Sequence, residues 1–311
     1  MKTSKSVITR AVVVLGVAGV LWWAGPSTSL GASQRGQGAG AAGTPAAEGG
    51  RRGTPLPPAG PVPRLSNGKP DLSGHWANPY TPNMALRAVD PVTKQPLKFA
   101  RMGEALPDAV APASGSAART YDLPYTEWGL KQWKTYDPVG KGDYAGNCLP
   151  FGTMRNLNAP HGTQILHHVD AVAFLYEQNT WHQWVPMSTT FKWPADLPET
   201  WNGLSTARWD GDTLVMETSG FNGYTKLDTS GHPHSKELKL TNTFRRIDSN
   251  TMEHTMTVHD PKTYTQDFMN VRTWRIKPAG DVLMEYSCEE NNLQNIVDGA
   301  IKLWKPDPDE N

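Results

Sequence analysis

The sequence predicts an all-β fold, an antiparallel meander of about eight to ten strands that closes into a barrel, with a proline-rich N-terminal wrap and a C-terminal helix. From His161 onward, apolar and polar residues alternate with period two, and turn-forming sequences separate the segments at intervals of about 8 to 12 residues. Few stretches with helical periodicity interrupt them, so successive strands are expected to pair antiparallel. Closure into a barrel would pair the two free edges of such a sheet.

Turn residues bound each predicted strand. Asp210-Gly211 favours a two-residue type I′ loop, because both of its central residues need positive φ. That loop would place Ala207 opposite Leu214, with the apolar residues of both strands on one face. A first strand begins at 71–76, and the others are predicted at 164–169, 171–178, 181–187, 204–209, 212–219, 239–247, 251–259, 269–277 and 282–288.

The N-terminus has the pattern of a signal peptide over residues 1–32. Lys2, Lys5 and Arg10 precede an apolar run at 11–25, which matches a basic n-region followed by an h-region. The run is shorter than the roughly 20 residues that a membrane-spanning helix needs, so cleavage is favoured over an uncleaved anchor. We expect a periplasmic or secreted protein, with the membrane as a partner only through such an anchor.

A flexible linker and an irregular segment that covers the core are predicted to precede the barrel. Residues 33–62 are rich in Gly, Ala and Pro and cannot bury enough apolar surface to order themselves, so they are expected to be a disordered linker to the barrel domain at 63–311. Within that domain, 64–147 has little periodicity and is expected to wrap the core, apart from a short helix at 126–136. A last helix is predicted from apolar residues at helical spacing: Leu293, Ile296, Val297, Ala300, Ile301 and Trp304.

The chain has two cysteines, Cys148 and Cys288. Both lie in the predicted domain of an exported chain, where disulfides persist, so we expect them to be bonded to each other. Two buried free thiols are the alternative.

Several segments, spread from about Arg64 to Leu293, resemble an uncharacterised family of exported bacterial proteins. The resemblance implies export but no particular activity. It depends on GKPDLSG at 68–74, CLP at 148–150 with Gly152 and Arg155, Trp201, Gly203, Ser205 and Trp209, GDTLV at 211–215, GFN at 220–222, Gly231 with PHS at 233–235, FRR at 244–246, Asp260-Pro261 with Tyr264-Thr265, and Tyr286 with CEEN at 288–291.

This chain departs from the family pattern at three positions. A carboxylate is usual where Leu204 stands, and a pair of arginines where His182 and Gln183 stand. If these groups form a pocket in the family, the pocket of this chain differs in charge. A looser similarity of fold is to lipocalin-like barrels, and a shared fold does not by itself confer a function.

Familiar catalytic motifs are absent from the sequence. It contains no GxSxG, P-loop, HExxH or dinucleotide fingerprint, so no organic cofactor is expected. The first catalytic candidate is His234 as a general base near neutral pH, oriented by Glu237 or Asp228, with Glu253 as a further acid–base group. The alternative is a loop held by hydrogen bonds from His234 and Ser235 to the backbone.

The second candidate is the polar face of the strands. If this face points inward, it would form a charged cavity that binds a ligand; if it points outward, it is an ordinary solvated surface. Its residues are Glu253, His259, Glu217, Arg245 and Glu177.

Tryptophans offer a third candidate, because Trp181 and Trp184 lie on opposite faces of one strand and one of them would then face a cavity, beside His182. Core packing is the alternative. A metal site is not expected, because adjacent His167 and His168 point to opposite faces and His232-x-His234 could bind an ion only with a third ligand that the spacing does not reveal. Acidic and basic residues are equal in number at 30 each, so nucleic acid is not an expected partner.

These patterns lead to three functional hypotheses. The leading one is an exported barrel that accommodates a small organic ligand, aromatic or amphipathic in character. The second is a cofactor-independent acid–base enzyme, a hydratase, lyase, isomerase or hydrolase that uses histidine and carboxylate groups. The third is a structural envelope protein. The sequence leaves open whether the protein is an enzyme.

Overall fold

The predicted signal segment at 1–32 and most of the predicted linker at 33–62 lie outside the described residues. The computed structural model describes residues 56, 58–107, 119–138, 143–288, 296–297 and 300–301.

Nine antiparallel strands form one sheet in the order β4-β3-β2-β1-β9-β8-β7-β6-β5. The sheet curls into a nearly closed barrel, so the predicted antiparallel meander is confirmed. The strands are β1 Gly74–Ala77, β2 Thr163–His167, β3 Ala171–Tyr176, β4 His182–Pro186, β5 Leu204–Asp210, β6 Thr213–Ser219, β7 Lys239–Arg246, β8 Thr251–His259 and β9 Phe268–Ile276.

The strand order places the opening of the barrel between two consecutive strands. β1 pairs with β2 on one side and with β9 on the other, which joins the two halves of the meander. β4 and β5 are therefore the two ends of the sheet. They approach each other through a single parallel bridge between Met187 and Ala207. We call this gap between β4 and β5 the seam.

Apolar side chains fill the inside of the barrel. In β8 the buried residues alternate with partly exposed ones, as the period-two pattern predicts. The N-terminal segment adds Leu72, Leu97 and Leu123 to the same core. The largest fully buried side chains include Trp76, Trp274, Tyr176, Phe174, Phe221, Phe244 and Phe268.

Two α-helices lie outside the sheet among the described residues. The helix α1, Glu127–Thr135, begins after Thr126, whose side chain accepts a hydrogen bond from the Gly129 amide, and confirms the predicted helix. The helix α2, Gly152–Asn158, is not predicted from the sequence, because every one of its residues is buried and it lacks an amphipathic stripe. Short 3₁₀ helices occur at Met84–Arg87, Tyr144–Asn147 and Gln178–Thr180.

The predicted disulfide is present between Cys148 and Cys288, with Cα atoms 5.4 Å apart. It joins the start of the segment that carries α2 to the chain after β9. None of the described helices has the length and apolar composition needed to cross a bilayer.

Three sequence predictions about individual elements are wrong. Residues 282–288 form no strand. Where the C-terminal helix was expected, Ile296–Val297 and Ala300–Ile301 pair as the short strands β10 and β11, consistent with Asp298-Gly299 between them, a sequence that favours a hairpin. The loop between β5 and β6 is Gly211-Asp212, so Ala207 pairs with Met216 instead of Leu214. Gly211 has a φ of +57°, as a type II′ turn requires at its first central residue.

Candidate functional site

A groove opens on the barrel wall at the seam, with a volume of about 330 Å³. We call it the seam groove. It exists because β4 and β5 do not pair, which leaves their side chains to line the gap. Its lining residues are Pro150, Trp181, His182, Gln183, Trp184, Trp193, Thr200, Trp201, Asn202, Gly203, Leu204 and Ser205.

Aromatic rings form the walls of the seam groove. The Trp184 side chain is 50% exposed, and its ring lies edge-on to Trp193 with centroids 6.1 Å apart. The Trp193 indole N–H donates to the Ser205 carbonyl oxygen at 2.9 Å, which ties the connection before β5 to that strand. Trp201 packs against Tyr224, with centroids 5.7 Å apart. The tryptophan faces are thus fixed by packing while the mouth of the groove stays open.

Gln183 closes the base of the groove with its side chain. Its Nε2 donates to the Ser205 hydroxyl at 2.8 Å, and its Oε1 accepts from the Tyr176 and Thr153 hydroxyls at 3.0 and 3.2 Å. The Ser205 hydroxyl lies 2.7 Å from the Thr218 hydroxyl. This buried network replaces backbone pairing across the seam and satisfies both ends of the amide.

The lining of the seam groove carries no carboxylate, ammonium or guanidinium group among the described residues, and His182 is its one titratable side chain. Two lining atoms are buried without a described hydrogen-bond partner, the indole Nε1 of Trp181 and the Oδ1 of Asn202. Buried polar groups are normally paired, so this donor and this acceptor are available to a bound molecule or to water.

The structure brings together three of the ligand-binding residues predicted from the sequence: Trp181, His182 and Trp184. Gln183 and Leu204 line the groove beside these three residues. Trp193, Trp201 and Asn202 also line the groove and were not predicted as site residues. The density of tryptophan between residues 181 and 201 was a signal for Trp193 and Trp201, but not for Asn202.

The other predicted ligand-binding residues point outward or serve local contacts. Arg245 pairs with Glu253 at 3.2 Å, and both are largely exposed. Glu217 lies 3.6 Å from Arg208, and His259 contacts Asp267 at 2.7 Å. Glu177 accepts a hydrogen bond from the Gly162 amide. The charged face therefore lies outside the barrel. Of the two alternatives for these residues, the charged cavity is wrong and the solvated surface is the one observed.

His234 is fully enclosed. Its Nδ1 donates to the Ser235 carbonyl oxygen at 2.9 Å, and its Nε2 accepts from the Thr225 hydroxyl at 2.6 Å. Burial lowers the pKa of His234 to about 4. Neither Asp228 nor Glu237 orients the ring, because both ring nitrogens are already engaged.

Asp228 instead belongs to a second buried histidine. The two ring nitrogens of His232 contact Asp228 at 2.6 Å and Asp122 at 2.9 Å. Asp228 also accepts from the Met84 amide, and the imidazole stacks on Trp133 with centroids 4.5 Å apart. Burial works against the charged ring, but the two carboxylates prevail and raise the pKa of His232 to about 10. His232 and Asp228 lie in the loop after β6, and Asp122 lies in the N-terminal segment. Their contacts therefore hold the loop against that segment.

A third polar cluster lies inside the barrel. Arg272 donates to His254 Nδ1 at 3.2 Å, and His254 Nε2 donates to Asn242 at 2.9 Å. The imidazole stacks on Phe244 with centroids 4.5 Å apart. Burial, with the neighbouring Arg272 charge, holds the pKa of His254 well below its usual range, so the ring is neutral and acts as a link between its neighbours.

The described residues contain no group of three or more His, Cys, Asp or Glu side chains arranged to hold a metal ion. Compared with known proteins, the chain matches no family model, no curated protein and no solved structure.

Proposed function

We propose that this protein is an exported binding protein that accommodates a small organic molecule in the seam groove. The observation that carries the proposal is the aromatic lining of a groove whose donor at Trp181 and acceptor at Asn202 have no described partner. Ligand sites typically combine apolar walls with a few convergent polar groups, and the volume of about 330 Å³ lies within the usual range for such sites.

Export is supported by two features of different kinds. The basic and apolar pattern at 1–32 matches a signal peptide. The Cys148–Cys288 disulfide fits an oxidising compartment, where such bonds persist. The resemblance to exported bacterial proteins points the same way. We therefore place the protein in the periplasm or outside the cell.

The two alternative functions receive less support from the geometry. An acid–base enzyme would need a histidine that reaches a substrate, and the buried His234 has both ring nitrogens engaged by Ser235 and Thr225. A structural envelope protein would need no groove lined by half-exposed tryptophan.

The test is calorimetric titration of the purified protein with neutral compounds that fit the groove, coniferyl alcohol and cellobiose among them. We expect at least one to bind, and Trp184→Ala to weaken that binding by about tenfold or more, which is about 1.4 kcal/mol. Trp128→Ala is the matched control, because Trp128 lies on α1 and lines a different surface. The proposal fails if no compound binds or if the two variants bind alike.

A further inference from the structure

Apart from His182 and the indole N–H groups, the polar side chains of the seam groove are of one chemical kind. Gln183, Asn202, Thr200 and Ser205 are amides and hydroxyls, which both donate and accept hydrogen bonds without carrying a charge. They alternate with indole rings around the same small volume. Gln183 and Ser205 are already hydrogen-bonded to each other, so the lining atoms that a purely aromatic ligand would leave unpaired are the Asn202 Oδ1 and the Trp181 Nε1. An unpaired buried polar group costs about 1–3 kcal/mol.

A sugar ring complements both the indole rings and the neutral polar side chains of this lining. Its C–H faces carry partial positive charge and pack on the electron-rich face of an indole. Its rim of hydroxyl groups donates and accepts, as do the side chains of the groove. A hydroxyl can meet the Asn202 Oδ1 acceptor or the Trp181 Nε1 donor, the two lining atoms that lack a described partner.

Charged ligands fit the seam groove poorly. No described lining residue carries a permanent charge, so a uronic acid or phosphate would lose its hydration without gaining an ion pair. The nearby buried arginine Arg155 does not supply one, because Asp143 already holds it with two hydrogen bonds of 2.8 and 2.6 Å.

The mouth of the groove extends the binding surface outward. Trp184 is half exposed and lies edge-on to Phe191 and Trp193, with centroids 6.2 and 6.1 Å away. The groove volume is at the lower end of the range for small-molecule sites, roughly 300–1,000 Å³. A short chain with one end in the groove and its next ring against Trp184 would use both surfaces.

We propose that the ligand of the seam groove is an uncharged saccharide, bound by indole stacking and by hydrogen bonds to neutral amides and hydroxyls. This inference rests on the proposed binding function and narrows it to one ligand class. Trp184 acts as the stacking surface, and Asn202 supplies an acceptor for a sugar hydroxyl.

The test compares ligands matched in shape and different in charge. The full chain is titrated by calorimetry with cellobiose, maltose and N,N′-diacetylchitobiose as neutral disaccharides. Galactobiose and digalacturonate form a neutral and charged pair, and coniferyl alcohol is the neutral aromatic probe. We expect at least one neutral disaccharide to bind, and galactobiose, if it binds, to bind better than digalacturonate.

Variants connect the binding to the named residues. Trp184→Ala and Asn202→Ala should each weaken disaccharide binding by about tenfold. Trp184→Phe should retain most of the binding, because it keeps an aromatic face. Trp128→Ala should leave the binding unchanged. A thermal melt of each variant shows whether the protein remains folded. Equal binding by Trp184→Ala and Trp184→Phe would overturn the stacking role.

The outcomes separate this inference from the proposed function. If coniferyl alcohol binds and every disaccharide fails, the saccharide inference falls and the binding function stands. If digalacturonate binds as well as galactobiose, the requirement for a neutral ligand falls. If no probe binds, both the inference and the proposed function fail.

Discussion

His232 is the residue whose charge is most tightly tied to folding. Its imidazole has no exposed surface and lies between the carboxylates of Asp228 and Asp122. The sequence predicted Asp228 as a partner of His234, in the same histidine-rich loop. Spacing along the chain could not show that Asp122, 110 residues away, completes the contact with His232.

The raised pKa of His232 predicts a pH dependence of stability. Its pKa is 6.5 as a reference and about 10 in the fold, so its contribution is complete below pH 6.5 and is lost as pH rises toward 10. We expect the free energy of unfolding, measured by urea denaturation, to fall across this window. His232→Gln should lower stability at pH 6.5 by about 3–5 kcal/mol, because it removes the charge between two buried carboxylates.

His259→Gln is the control for this pH dependence of the free energy of unfolding. His259 also contacts a carboxylate, Asp267, but both side chains are a little under half exposed, so an effect of about 0–1 kcal/mol is expected. Equal pH slopes in wild type and His232→Gln would contradict the assignment.

At the scale of single elements, α1 offers a test in which helix propensity and packing predict opposite signs. Gly129 lies inside the helix, where alanine is normally better by about 0.8–1.0 kcal/mol. A Cβ at Gly129 would collide with the carbonyl oxygen of Thr263, which belongs to the loop before β9. We therefore expect Gly129→Ala to destabilise the protein, by about 1–3 kcal/mol in urea denaturation. Thr135→Ala, on the exposed side of α1, should change stability by less than about 0.5 kcal/mol. A higher free energy of unfolding for Gly129→Ala would show that the loop containing Thr263 moves to make room for the added Cβ atom.

The elements that the sequence predicts well are those with one buried face. β8 alternates from Met252 to His259, and α1 has both a cap and an apolar face, so the local pattern is enough to predict them. Prediction from the local pattern fails where both faces of an element are buried, as in α2. It also fails where the spacing of apolar residues fits both a helix and a strand. The residues Ile296, Val297, Ala300 and Ile301 fit a helical stripe, but they also fit two short paired strands, and the structure shows these strands pairing.

At the scale of the whole molecule, the sequence predicts a closed meander but not where it opens. β1 comes early in the chain and is short, yet it pairs with both β2 and β9 and so shifts the open edges to β4 and β5. This long-range pairing has no local signature. The candidate site depends on it, which explains why the sequence identified Trp181, His182 and Trp184 but not their partners across the seam.

The barrel should be least stable where its closure depends on side chains. Adjacent strands from β7 to β9 are joined by continuous antiparallel ladders, whereas β4 and β5 are linked mainly by Gln183, Ser205 and Trp193. Local opening follows such differences in bonding. In hydrogen exchange followed by mass spectrometry, we expect peptides from β4 and β5 to exchange faster than those from β8.

Gln183→Leu tests the cause of that difference, because it keeps the volume but removes the hydrogen bonds that the Gln183 side chain makes across the seam. It leaves the Tyr176 hydroxyl without its partner, whereas the Ser205 hydroxyl keeps Thr218. Each buried group left unpaired costs about 1–3 kcal/mol. Exchange in β4 and β5 should therefore accelerate while β8 is unchanged. Gln164→Leu makes the same chemical change on β2, where the amide donates only to the adjacent Ile165 carbonyl. It should change the exchange rate neither in β4 and β5 nor in β8. Uniform acceleration in Gln183→Leu would mean that the amide supports the whole barrel, and the seam would then not be a separate, weakly closed element.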